Sequence, residues 1–245
     1  IYDSAVRFAG GRPVTYRLDS SNGFAPDVDA IAAAITSRTR VLVLNTPQNP
    51  TGGVIDAPTL AALAELAESN DLVVIVDEIY RPFDYGAQPV PSILTLPGMR
   101  ERCILVDGFS KAYAMTGWRL GYGLLPTPLA PRFALLALND HACVPAFVQR
   151  AGIAALTGTQ DPLNAMIREF AARRQLVSER LAAIPGVRID APAGAFYAFP
   201  NISDATRAAG ITSAQLATRL LHEYGVALLP GTAFGAAGEG HLRLS

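Results

Sequence analysis

The chain has 245 residues, half of them apolar, so it is long enough to bury a sizeable core in one large domain or two smaller ones. Its 20 basic residues nearly balance 21 acidic ones and form no basic run, which argues against a nucleic-acid partner. The apolar runs are far shorter than the ~20 residues of a membrane span. Two cysteines and three scattered histidines are too few for a disulfide framework or a metal cage. We therefore expect a soluble, cytoplasmic protein that binds neither a membrane nor a metal.

Apolar runs alternate with helical patterns in the first half of the chain. The predicted strands cover residues 14–18, 41–44, 72–76, 104–106 and 120–125. A helix is predicted after Pro26, and another over residues 58–69, where Leu60, Leu63 and Leu66 lie on one face. This alternation predicts an α/β fold with a mainly parallel sheet flanked by helices.

The pattern changes to longer helical segments after residue 126. Helices are predicted over residues 129–156, 162–183 and 213–224, and strands over residues 187–189, 195–199 and 226–229. These elements predict a smaller α+β domain. We expect the large domain to cover residues 1–158, and the interdomain helix and C-terminal domain to cover residues 159–245.

Three polar segments each follow an apolar run. They read Asn-Thr-Pro-Gln-Asn-Pro-Thr-Gly at 45–52, Val-Asp-Glu-Ile-Tyr at 76–80 and Gly-Phe-Ser-Lys-Ala-Tyr-Ala-Met-Thr-Gly-Trp-Arg at 108–119. Ligands bind beyond the carboxyl ends of parallel strands, so Asn49, Asp77 and Lys111 are expected to face one ligand. A lysine amine can form a Schiff base with an aldehyde, and an arginine fork suits a phosphate. Pyridoxal phosphate (PLP) carries both groups, although a lysine and an arginine this close are also common as surface charges.

The order, spacing and chemistry of these segments resemble the fold-type I PLP enzymes, and among them the class I/II aminotransferases. The resemblance runs from the aromatic and glycine-rich opening at 2–11 to His-Leu-Arg-Leu-Ser at 241–245, and residues 112–122 look most like the bacterial aspartate-type subgroup. It implies a large PLP-binding domain incomplete at its N-terminus and an incomplete small domain, because family members have further residues on both sides. It also implies a homodimer.

The resemblance implies that Lys111 forms the Schiff base with PLP and then acts as the general base. Asp77 would face the pyridine nitrogen and keep it protonated, although an aspartate here could instead cap a helix. Tyr80 and Asn49 would hydrogen-bond the phenolic oxygen of the ring. Tyr80 would thereby take part in catalysis.

The resemblance also implies how phosphate and substrate are held. Ser110 and Arg119 would bind the phosphate, and Arg243 would grip the substrate α-carboxylate beside Asn49. Many relatives carry a second hydroxyl two residues before the serine, where this chain has Gly108, which puts one phosphate contact in doubt.

The activity implied is transfer of an amino group from an L-amino acid to a 2-oxo acid in a ping-pong cycle. Two alternatives stay open. One is a PLP-dependent lyase of the same fold, because the same cofactor chemistry can break different bonds. The other is the cofactor-sensing domain of a transcription regulator, which would need a DNA-binding segment ahead of residue 1. The residues do not indicate which amino acid is the donor.

Overall fold

The computed structural model describes residues 2–245, which form two compact units. The first unit comprises Ile1–Thr46, Ile55–Ile79 and Val90–Thr157, and the second comprises Pro47–Val54, Tyr80–Pro89 and Gly158–Ser245. Two short segments that fall within the first predicted domain therefore group with the second unit. The predicted domain limits at residues 158 and 159 stay a prediction.

The regular elements divide cleanly between the units. The first unit contains α1 (Tyr2–Phe8), α2 (Val28–Ala34), β1 (Val41–Asn45), α3 (Ala57–Ser69), β2 (Val73–Asp77), β3 (Cys103–Gly108), β4 (Gly121–Leu124), α4 (Ala130–His141) and α5 (Ala146–Thr157). The second contains α6 (Asp161–Ala182), α7 (Ser203–Ala209), α8 (Ser213–Tyr224), β5 (Leu229–Pro230) and β6 (Leu242–Arg243).

The first unit is built on a four-stranded sheet in the order β1-β2-β3-β4. The first three strands are parallel, and β4 returns antiparallel to β3. Asp77 at the end of β2 pairs with Asn45 on one side and Val106 on the other. The predicted α/β class with a mainly parallel sheet is confirmed.

Helix α3 covers the sheet with the apolar face that the sequence predicts. Asp56 accepts a hydrogen bond from Thr59 N and Pro58 lies in the first turn, so both local signals favour a helix start here. Leu60 and Leu63 are almost completely buried, in one core with Val74 and Val76 of the sheet. Burial of this face is the main reason that the helix and sheet stay together.

Two predictions for the first unit are wrong. Residues 14–18 form no strand, because their backbone pairs only at a bridge from Leu18 to Pro26; Tyr16 packs on the core through its side chain and donates its hydroxyl to the carbonyl of Val43. The helix predicted over residues 129–156 is two helices. The chain breaks at Ala142 (φ 61°, ψ −92°) and Pro145, and a proline cannot continue a helix interior.

The second unit has a small core of its own around Ile202, Ala217 and Leu242. Helices α6 and α8 match their predicted ranges closely. The strands predicted over residues 187–189 and 195–199 appear only as isolated bridges, from Arg188 to Asn201 and from Ala198 to Leu244. Among the helices of residues 2–245, none combines the length and the apolar character that crossing a membrane requires.

Leu63→Ala tests whether α3 holds the first unit together. Leu63 is 0% exposed, so the truncation leaves a cavity and should lower the free energy of unfolding by about 2–5 kcal/mol. The control is Glu65→Ala on the exposed side of the same helix, which should change it by less than about 0.5 kcal/mol. Urea denaturation measures both. Equal small effects would show that the helix buries a different face.

Candidate active site

The carboxyl ends of β1 and β2 are joined by hydrogen bonds around Asp77. Its backbone carbonyl accepts from Thr46 N at 3.0 Å and from Asn45 Nδ2 at 3.1 Å. Its carboxylate accepts from Ile79 N at 3.0 Å, which closes a tight turn after the strand. No helix starts here, so Asp77 caps a turn, and its carboxylate is held by the fold at the sheet edge.

Tyr2, which the sequence did not single out, donates its hydroxyl to the second carboxylate oxygen of Asp77. Partial burial raises the pKa of the Tyr2 phenol above its ordinary value, and the neighbouring Asp77 raises it further. Tyr2 therefore stays protonated at neutral pH and acts as a neutral donor. The carboxylate is oriented from two sides by side chain and backbone.

The loop after β3 carries Ser110 and Lys111. Phe109, Ala112 and Met115 are buried and anchor the loop, whereas the two polar residues are only partly buried. Met115 N and Tyr113 N both donate to the carbonyl of Phe109, at 3.3 Å each, so the loop is a compact turn. Adjacent parallel strands end at the same edge of a sheet, so Lys111 lies after β3 at the edge where Asp77 ends β2.

Lys111 is the only lysine among the 245 residues; all the other basic side chains except the histidines are arginines. The two cations differ chemically, because an amine can lose its proton and become a nucleophile whereas a guanidinium stays charged. The one amine side chain of residues 1–245 thus stands in this loop. A surface salt bridge would be served equally well by arginine.

Arg119 lies on the other leg of the same loop. Gly108 pairs with Gly121, and Ser110 and Arg119 each lie two residues beyond this pair. Arg119 has a left-handed backbone (φ 55°, ψ 43°) and donates from Nη1 to the carbonyl of Thr116 at 3.0 Å. The hydroxyl and the guanidinium thus stand on the two legs of one narrow loop.

Gly108 has a structural reason for lacking a side chain. A Cβ there would lie 2.9 Å from Cα of Gly121 and 3.0 Å from the carbonyl oxygen of Leu120. A hydroxyl residue in this place would therefore require the β3–β4 pair to shift. In this chain the loop therefore offers one serine hydroxyl, that of Ser110.

Asn49 lies in the loop of residues 47–54, which belongs to the second unit. Gly52 in this loop has φ +71°, and a Cβ would lie 2.3 Å from Cβ of Pro192, so only glycine fits. Gly194 N donates to the carbonyl of Gly52 at 2.8 Å. This close backbone contact fixes the position of the loop, and hence of Asn49, within the second unit.

Arg243 on β6 is held by neutral groups. Its Nη1 donates to Oδ1 of Asn49 at 2.9 Å, and its guanidinium carbon lies 4.6 Å from the ring centre of Tyr197 and 5.1 Å from that of Phe234. No carboxylate of the described residues forms an ion pair with it, and its buried Nε has no hydrogen-bond partner among them. The charge of Arg243 is thus left for a ligand, and an anion suits it.

Tyr80 is buried in the second unit, 5% exposed, with its hydroxyl 2.6 Å from the hydroxyl of Tyr197. The predicted residues therefore fall into two groups. Asp77, Ser110, Lys111 and Arg119 belong to the first unit, and Asn49, Tyr80 and Arg243 to the second.

Three residues that the sequence did not assign join these groups: Tyr2, Tyr197 and Phe234. Tyr2 lies in the aromatic and glycine-rich opening at 2–11, which contributes to the family resemblance without assigning a role to any one side chain. No local pattern in the sequence assigns a role to Tyr197 or Phe234. Only the folded contacts distinguish these roles.

Comparison with known proteins covers the whole chain. The family model described as "Aminotransferase class I and II" matches residues 1–245. A putative aminotransferase, YugH, from Bacillus subtilis is 40% identical over 246 residues, which are 100% of this chain and 62% of that protein. An aspartate aminotransferase from Pyrococcus abyssi is 40% identical over 248 residues, with the same coverage of 100% and 62%. The chain thus spans about three fifths of the length of the curated relatives it matches.

Solved structures agree with the sequence matches. The crystal structure of an aromatic aminotransferase from Pyrococcus horikoshii OT3 superposes with a TM-score of 0.94 at 40% identity, covering 100% of this chain and 65% of that one. A Thermus thermophilus aspartate aminotransferase with maleate superposes with a TM-score of 0.89 at 37% identity, covering 100% of this chain and 62% of that one.

A double-mutant cycle tests the contact between Tyr2 and Asp77. Tyr2→Phe removes one donor to a carboxylate and should lower the free energy of unfolding by about 1 kcal/mol. Combined with Asp77→Ala, the two losses should be non-additive by a similar amount, about 1 kcal/mol. Tyr224→Phe, at a 70% exposed tyrosine, is the control and should be neutral. Full additivity in urea denaturation would contradict the contact.

Proposed function

The chain belongs to the class I and II aminotransferases, and from this premise we propose that the full-length protein transfers an amino group from an L-amino acid to a 2-oxo acid with PLP as cofactor. The observation that carries the proposal is the lone lysine, Lys111, on the loop after β3, at the sheet edge where Asp77 ends β2. The reported relatives named as aminotransferases support group transfer rather than the lyase or the regulator. We also propose a cytoplasmic homodimer.

The side chains of the first unit carry the chemical groups that PLP binding requires. The cofactor has an aldehyde, a pyridine nitrogen and a phosphate, and the unit offers an amine at Lys111, a carboxylate at Asp77, and a hydroxyl with a guanidinium at Ser110 and Arg119. Each is partly accessible or on a loop rather than sealed in the core. When bound, PLP would supply an aldehyde that takes up the amino group and a ring that accepts electrons from the substrate carbon.

Lys111 has two duties in this proposal. Its amine would hold the cofactor through the aldehyde carbon, and the same nitrogen would serve as the base that moves a proton to and from the substrate α-carbon. Asp77 keeps the pyridine nitrogen protonated through its negative charge. For this the carboxylate must be fixed in direction, and the hydrogen bonds from Ile79 N and Tyr2 serve that purpose.

Ser110 and Arg119 would hold the phosphate from the two legs of their loop. The arginine keeps one Nη1 bond to Thr116 O, and its remaining N–H groups suit two phosphate oxygens. Because Gly108 supplies no hydroxyl, a larger share of the phosphate binding falls on Arg119.

In the second unit, Arg243 would bind the substrate α-carboxylate as a planar fork. Asn49 holds the guanidinium through its amide oxygen, and by the family resemblance it would also hydrogen-bond the phenolic oxygen of the cofactor. Tyr80 would donate to the same oxygen. These assignments leave Arg243 as the substrate contact and Tyr80 as a cofactor contact.

Borohydride trapping tests the proposal directly, because only one lysine in residues 1–245 can carry the product. Full-length protein incubated with PLP and reduced should yield one modified peptide containing Lys111, found by mass spectrometry. Lys111→Ala should lose this adduct and the accompanying visible absorbance.

The matched control is Arg132→Ala, which removes an exposed cation from α4 and should leave the adduct intact. An adduct that persists in Lys111→Ala, or that maps outside residues 108–119, would refute the assignment. Turnover of amino acids only in the presence of a 2-oxo acid would separate an aminotransferase from a lyase.

A further inference from the structure

We propose that Tyr197 is a positioning residue that serves two functional side chains at once: its hydroxyl orients the hydroxyl of Tyr80, and its ring supports the guanidinium of Arg243. This inference rests on the proposed function, which assigns Tyr80 to the cofactor and Arg243 to the substrate carboxylate. It goes further, because it gives a role to a side chain that packing alone could explain.

The hydroxyl contact is short and buried. Tyr80 and Tyr197 are 5% and 6% exposed, and their oxygens lie 2.6 Å apart. The two rings meet edge to face, with centres 5.3 Å apart and planes at 78°. A T-shaped pair of this kind restricts both rings, so the hydroxyls have little freedom to separate.

Counting protons gives the contact a direction. The pair has two hydroxyl protons, and one of them lies in the bond between the two oxygens. For Tyr80 to donate its proton to a cofactor oxygen, Tyr197 must be the donor within the pair. A hydroxyl that accepts one hydrogen bond becomes a stronger donor in the next, so Tyr197 both orients and strengthens the Tyr80 donor.

The second contact uses the ring of the same residue. The guanidinium carbon of Arg243 lies 4.6 Å from the ring centre of Tyr197, within the range of a cation–π contact. The backbone fixes this arrangement, because Ala198 and Leu244 exchange hydrogen bonds of 3.1 and 2.9 Å. Tyr197 and Arg243 are the residues just before this pair on the two paired segments.

Tyr197→Phe separates the two contacts, because it removes the hydroxyl and keeps the ring. In the PLP-loaded full-length protein, the pH midpoint of the cofactor's visible absorbance should rise by about half a unit, since a weaker Tyr80 donor stabilises the deprotonated cofactor less. Succinate, a simple carboxylate probe, should bind with unchanged affinity in isothermal titration calorimetry.

Two leucine variants test the ring. Tyr197→Leu should raise the same midpoint and also weaken succinate binding about 5-fold. Phe234→Leu, which removes the other ring beside Arg243, should weaken succinate binding several-fold and leave the midpoint unchanged. A double variant, Tyr80→Phe with Tyr197→Phe, should have the midpoint of Tyr80→Phe alone, because Tyr197 acts through Tyr80.

The hydroxyl role is overturned if Tyr197→Phe leaves the midpoint in place, or if its effect adds to that of Tyr80→Phe. The ring role is overturned if Tyr197→Leu, still folded by circular dichroism, binds succinate as wild type does. If that variant unfolds, Tyr197→Met, which keeps most of the side-chain volume without an aromatic ring, replaces it, and succinate binding equal to that of wild type would overturn the ring role. Failure of the proposed function looks different, because wild type itself would then form no Lys111 adduct, while the succinate comparisons would still be measurable.

Discussion

The parallel alignment of β1, β2 and β3 is the constraint from which the chemistry of the first unit follows. Hydrogen-bonded ladders hold neighbouring strands about 4.8 Å apart, and the register places Asn45, Asp77 and Val106 in one row. Residues far apart in sequence therefore reach one edge through the backbone alone. The strand register alone brings Asp77 to this edge, and the loop that carries Lys111 starts from the end of the neighbouring strand.

The two units fix their polar residues by different means. In the first, short loops tied by backbone hydrogen bonds hold Asp77 and Lys111, and the charge of Asp77 is directed by small, neutral donors. In the second, aromatic side chains do the positioning, and Tyr197 contacts both Tyr80 and Arg243. Backbone hydrogen bonds position groups at the end of a strand. Aromatic rings can position an arginine without pairing its charge.

The sequence predicts what local patterns determine. Continuous apolar runs identify β1, β2 and β3, the leucine spacing identifies α3, and polar residues after strands point to Asp77 and Lys111. Their detailed roles come from the family resemblance, which the comparisons confirm at the level of the family. Contacts between distant residues are beyond local patterns: Tyr2 meets Asp77 across 75 positions, Tyr80 meets Tyr197 across 117, and Arg243 meets Asn49 across 194. The strand predicted over residues 14–18 is wrong for the same reason, because a strand needs a pairing partner elsewhere in the chain and local residues do not specify one.

The surroundings of Arg243 indicate why a partly buried cation is kept without a carboxylate partner among the described residues. Removing a guanidinium from water is costly, and an internal aspartate would offset that cost. Such a partner would also compete with any incoming carboxylate, because the fork can bind only one fully. Neutral groups stabilise the guanidinium less than an aspartate would, but they do not neutralise its charge. Here they are Asn49 Oδ1 and the ring faces of Tyr197 and Phe234. Neutral support therefore suits the role proposed for Arg243, in which a substrate carboxylate binds and leaves.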